Sequence, residues 1–138
     1  MKVSELPYKR VTLEDAASAM QDIISRIKNA ESVDEILKAR EDYLKFNTEY
    51  YTADALSYMR YSINTADEFY VAEKEYYDEI GPQVKSYIVE YSSALLDSPF
   101  HKELEEKLSP VLFKSMEVQR KSMSKEIVGD MVEENRLV

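Results

Sequence analysis

Glycine occurs twice, at Gly81 and Gly129, and proline four times in 138 residues. A chain this poor in the residues that turn a backbone cannot make many tight loops. Its apolar positions recur at intervals of three and four rather than two, which is the period of a helix with one face committed to a core. Both features predict an all-α fold, a mainly antiparallel helical bundle in which residues 1–138 make one domain. At 16.1 kDa such a domain needs no covalent staple.

Local chemistry places the helix starts. Thr12, followed by Glu14 and Asp15, caps a first helix whose stripe runs Leu13, Ala16, Ala17, Met20, Ile23, Ile24 and Ile27. Ser32 with Glu35 forms a capping box, so a second helix begins near Val33. The short connection makes these two an antiparallel hairpin. Asn47, Thr48 and Thr52 lower helix propensity and predict a break near 48–53, with a third segment carrying Leu56, Tyr58, Met59 and Ile63 to about Asn64. Thr65 with Glu68 repeats the capping box and starts the longest stretch, from Ala66 to Asp97. At Gly81-Pro82 that stretch either kinks or restarts, because proline removes a backbone donor yet suits a first helical turn. Ser98-Pro99 and Ser109-Pro110 open two short helices, about 99–108 and 110–121, and a last amphipathic segment starts at Ser124.

Composition excludes several chemistries. There is no cysteine, which removes disulfides, thiolate metal sites and a cysteine nucleophile, and His101 is the one histidine. One imidazole cannot build a multi-histidine zinc site, and the residue three before His101 is Ser98, so no Glu-x-x-His ligand pair exists there. His101 is expected to be an exposed surface histidine. The net charge of −9 is spread evenly, and basic residues are singles or pairs such as Lys9-Arg10, which argues against nucleic acid. No signal-peptide or membrane-spanning run is visible, so a cytoplasmic protein without membrane contact is expected. Glu73, Glu75, Asp78 and Glu79 form an acidic stretch beside Lys74, and a helix places Glu75 with Glu79 and Lys74 with Asp78 on common faces; a paired-carboxylate acid–base site is conceivable there, but a solvated helix face is the expectation. Catalytic, cofactor-binding and metal-binding residues are therefore all expected to be absent.

Tyrosine stands out, with eleven against four phenylalanines and no tryptophan. Ten lie between Tyr43 and Tyr91. They are expected at core margins with hydroxyls reaching water, and the doublets Tyr50-Tyr51 and Tyr76-Tyr77, about 100° apart on a helix, leave some for a partner face.

The segments LPYKRVTLEDA near the amino terminus, Asn64 to Tyr70, Tyr76 to Pro82, and SPFHKELEEKLSP further on resemble the amino-terminal region of the oligoendopeptidase F-type zinc metallopeptidases, relatives of thimet oligopeptidase. The resemblance runs almost end to end, with Arg60 to Gln83 its most specific stretch. It implies a helical wall of a channel that admits short peptides. It also implies that zinc, held by a His-Glu-x-x-His helix and a further glutamate, belongs to a catalytic domain outside these residues. That motif does not occur here, so no site residue transfers and the chain alone is expected to be inactive. The apolar ending at Leu137-Val138 is read as an excised or truncated segment. The expected partners are the catalytic domain of the same polypeptide, short peptides in the whole enzyme, and further copies of the isolated chain. The rival reading is a stand-alone interaction module with a tyrosine-rich surface.

Overall fold

In the computed structural model the described residues, 6–122, form five α-helices and no strand. They are α1 (Leu13–Lys28), α2 (Val33–Ile63), α3 (Glu68–Leu96), α4 (His101–Leu108) and α5 (Pro110–Ser122). The segment expected from Ser124 lies outside the described residues. Contacts fix the directions. Leu13, Gln21 and Lys28 of α1 meet Tyr76, Tyr87 and Glu90 of α3 in the same order, so those helices are parallel. Arg60, Tyr50 and Arg40 of α2 meet Tyr70, Tyr77 and Tyr91 in reverse order, so α2 runs against α3. α1, α2 and α3 thus make an up-down-up bundle, and α4 and α5 fold back on the carboxyl-terminal half of α3.

The α1 cap is as expected: Thr12 Oγ1 accepts from Asp15 N at 3.0 Å and Asp15 Oδ2 accepts from Thr12 N. At α2, Ser32 caps Glu35 N, but the Glu35 carboxylate takes the amide of Glu31 rather than that of Ser32. The expected break near 48–53 is absent. α2 is one helix of about 46 Å, because burying Phe46, Tyr50, Ala53 and Leu56 outweighs the few tenths of a kcal/mol that each of Asn47, Thr48 and Thr52 costs.

α3 begins later than expected. Its cap is Asp67, whose Oδ1 accepts from Phe69 N and Tyr70 N, while Asn64 closes the preceding turn on Ala66 N. A carboxylate at the N-cap adds charge–dipole attraction that Thr65 could not supply. Ser98 likewise fails to cap α4; it accepts from Phe100 N in a turn, and the helix starts at His101. Ser109 does cap α5, on Leu112 N.

α3 does not restart at Pro82; it runs on to Leu96. Gly81 eases this passage because a Cβ before proline would press on the ring. Pro82 is exposed and leaves the carbonyl of Asp78 without its helical donor. Pro82→Ala is therefore expected to raise stability by about 1–2 kcal/mol, the helical gain being partly offset by a freer unfolded chain. A urea midpoint that moves down would show that the ring itself supports the fold.

The core is continuous, from Met20, Ile23 and Ile27 through Ile36 and Ala39 to Val84, Leu95, Leu104 and Phe113. Among the described residues no helix is long and apolar enough to cross a membrane.

Candidate functional site

The segment before α1 has no periodic apolar pattern, yet it is firmly placed along the bundle by side chains of α2 and α3. Tyr76 Oη accepts from Leu13 N at 2.7 Å and Tyr77 Oη from Val11 N at 3.0 Å, and Arg60 donates to the carbonyl of Leu6. Arg10 lies over the Tyr76 ring, 4.1 Å from its centre. Its guanidinium grips Glu73, with Nε 3.0 Å from both carboxylate oxygens and Nη2 on Oε2.

Glu73 is 3% exposed, which corrects the expected solvated acidic face. The reason is phase: it lies four residues before Tyr77 and seven before Ile80, on the stripe α3 turns inward. Glu75, Asp78 and Glu79 do face solvent, and Lys74 and Asp78, on one face as expected, pair at 2.7 Å. Tyr8 Oη sits 2.9 Å from both Glu73 Oε1 and Tyr77 Oη. A phenol has one proton; with that of Tyr8 on the carboxylate, Tyr77 donates to Tyr8 and accepts from Val11, so every polar atom is matched. Arg10 above all, and then Tyr8, hold the Glu73 carboxyl below its ordinary 4.5 against the opposing effect of burial. Burial, then the Tyr77 and Glu73 bonds, pushes the Tyr8 phenol far up.

The tyrosines divide into two groups. Tyr50, Tyr77 and Tyr91 are at most 3% exposed and belong to the core itself, not its margin. Protein groups rather than water take the Tyr77 and Tyr91 hydroxyls, the latter accepting from Arg40 Nη1 at 3.3 Å. Tyr51 and Tyr58 are about half exposed, and Met59, Ile63 and Phe69 near the α2–α3 turn are exposed as well. Two grooves flank the bundle: one of about 510 Å³ between residues 7–11, α1 and α2, and one of about 630 Å³ between α2, α3 and α5. A third hollow, of about 480 Å³, lies between Tyr50, Asp54 and Tyr77.

The sequence profile of the Peptidase M3 N-terminal domain matches residues 3–123. The chain belongs to the M3 peptidase family. Three solved structures share the fold. A protein designated oligoendopeptidase F is 34% identical with a TM-score of 0.84, covering 99% of this chain and 24% of its own. PZ peptidase A, solved with an inhibitor, is 33% identical with a TM-score of 0.83, covering 99% and 24%. A protein of Bacillus anthracis designated oligoendopeptidase F is 32% identical with a TM-score of 0.82, covering 97% and 25%. The M3 chain described here thus spans about a quarter of the length of these structures. No curated protein matches it.

Zinc, which the family resemblance implies, does not fit the side chains of this M3 region. The sequence offers one imidazole and no thiolate, and among the described residues no group of three His, Cys, Asp or Glu side chains is placed to hold a metal. His101 is spent structurally. It is half-buried rather than exposed, correcting the surface reading: Nδ1 lies 2.6 Å from the carbonyl of Leu96 and so carries the proton, capping the end of α3, and the ring packs 4.8 Å from Phe113. Nε2 faces Glu105 at 3.4 Å.

Sequence reasoning missed Tyr8, Arg10 and Glu73 as a unit. The phase of Glu73 on α3 was a usable signal; nothing local marked its partners, 63 and 65 residues away.

Proposed function

We propose that this chain is the amino-terminal helical domain, residues 1–138, of an oligoendopeptidase F-like zinc metalloendopeptidase that cleaves short peptides. In this reading it forms part of the substrate-channel wall, contains no catalytic, cofactor or metal residue, and works in the cytoplasm against the catalytic domain of its own polypeptide. The observation that carries the reading is the correspondence over 97–99% of the chain, at 32–34% identity, with a quarter of each of these peptidase structures.

Two features of the molecule support it. A wall that excludes folded proteins must be rigid, and here the segment 6–11 is locked down by a paired cluster centred on the buried Glu73 instead of dangling. A wall must also dock on the body it encloses. Ile63 at 74% exposure and Phe69 at 57% mark apolar surface at the α2–α3 turn that is costly in water and suited to cover by another part of the enzyme. Isolated copies can pair through the same surface.

The purified chain, incubated with zinc and an internally quenched peptide of about eight residues, is expected to give no turnover above buffer, since in this reading the zinc and its ligands belong to the catalytic domain. Zinc-dependent hydrolysis by the 138-residue protein would overturn the proposal.

A further inference from the structure

The hollow between α2 and α3 has an unusual lining. Tyr50 is 3% exposed, yet its hydroxyl has no protein partner among the described residues. Among the described residues no side-chain oxygen is both sealed and unpartnered, so this hydroxyl keeps some exposure, and Tyr50 is one of the residues that line the hollow. Four residues on, Asp54 lines the same space, half-buried, its carboxylate in no ion pair or hydrogen bond among the described residues. Asp78 pairs with Lys74 at 2.7 Å, and Lys85, at the rim, comes within 4 Å of no carboxylate among the described residues. The rings of Tyr51 and Tyr77 complete the walls.

We propose that this hollow binds a primary ammonium group, with the Asp54 carboxylate and the Tyr50 hydroxyl as its hydrogen-bond acceptors and the tyrosine rings as its walls. The chemistry is complementary at each point. An unpaired, partly desolvated carboxylate lacks a cation. An ammonium has three protons to give, and its charge is attracted to aromatic faces. A neutral ligand would leave Asp54 uncompensated, and an anion would be repelled. Burial, then Asp78, holds the Asp54 carboxyl above its ordinary range, so its charged form carries a cost that a neighbouring cation removes. At about 480 Å³ the space admits an amine carrying one aromatic or aliphatic side chain. Both a free amine and the amino terminus of a peptide present this group. The inference stands on the hollow itself and does not depend on the peptidase reading.

The test uses the whole chain with its tyrosine rings carbon-13 labelled, titrated with benzylammonium and, separately, with neutral benzyl alcohol. Saturable shifts at Tyr50 and Tyr51 are expected with the ammonium only. Asp54→Asn is expected to weaken binding about tenfold or more while raising the melting temperature, because it removes an uncompensated charge; that rise separates loss of the site from loss of the fold. Equal binding of benzyl alcohol, unchanged affinity in Asp54→Asn, or no shift at the highest soluble amine concentration each overturns the proposal. Phe-Gly-Gly and its N-acetyl form then separate the sources. Tighter binding of the free peptide than of benzylammonium, abolished by acetylation, assigns the site to peptide amino termini, and binding no tighter than benzylammonium assigns it to free amines.

Discussion

Glu73→Gln is expected to cost about 2–3 kcal/mol of stability and to release residues 6–11 from the bundle. Breaking a buried ion pair by removing one partner typically costs about 3–5 kcal/mol. The Arg10 side chain is 40% exposed, however, so water screens it once the partner charge is gone and the lower figure applies. Glutamine keeps the shape but turns an NH₂ toward the guanidinium, setting donor against donor, and leaves one oxygen where Arg10 and Tyr8 now share two. The Val11 and Leu13 amides, held by Tyr77 and Tyr76, are the local reporters: their hydrogen exchange should accelerate more than that of α1 core amides. A uniform acceleration would mean that the cluster stabilises the whole bundle rather than the segment.

The same pair has a signature in pH. The carboxyl of Glu73 is held below its ordinary 4.5 by Arg10, so the unfolded chain takes up the proton first as acid is added. Its contribution is complete above about pH 4.5 and fades as the pH falls through the depressed folded value. The stability difference between the parent chain and Glu73→Gln should accordingly shrink below pH 4.5 and stay constant from there to neutrality. A difference that does not change with acid would assign the loss to packing instead of charge.

How much of this was legible in the sequence follows from how far apart the interacting residues are. The Thr12 cap, the α1 stripe and the α1–α2 hairpin depend on neighbours within a few residues, and the sequence shows those directly. The continuity of α2 does not: the propensities of Asn47, Thr48 and Thr52 argue for a break, and only the partners of Phe46 and Tyr50 in the folded bundle override them. Thr65 with Glu68 has the spacing of a capping box, and it masks Asp67, the residue that caps α3. For Glu73, a count of acidic residues pointed outward where the helical phase pointed inward. The extended segment 6–11 was the least legible part, since its order comes from single side chains on α2 and α3 that no spacing rule brings together. Family membership was legible for the opposite reason: it rests on runs of residues, and those survive whatever each contact does.

The largest loss of stability is expected at Tyr91. Its ring is 2% exposed and stacks on Tyr43 with centres 3.7 Å apart and planes 16° from parallel, so Tyr91→Ala opens a ring-sized void between α2 and α3 and should cost about 3–5 kcal/mol. Tyr91→Phe keeps the ring and gives up only the 3.3 Å bond from Arg40, whose guanidinium remains within reach of water; about 1 kcal/mol or less is expected. Urea midpoints at constant slope would measure both, and a Phe variant as weak as the Ala variant would transfer the credit from packing to the hydrogen bond. Alkali offers an independent check. Burial pushes the Tyr91 phenol from 10.0 up to about 12, against the downward pull of Arg40. The unfolded chain then loses this proton first, and stability declines between about pH 10 and 12. Tyr50, pushed to about 12 by its burial, adds a decline of the same sign, so Tyr91→Phe should make the alkaline slope shallower without abolishing it.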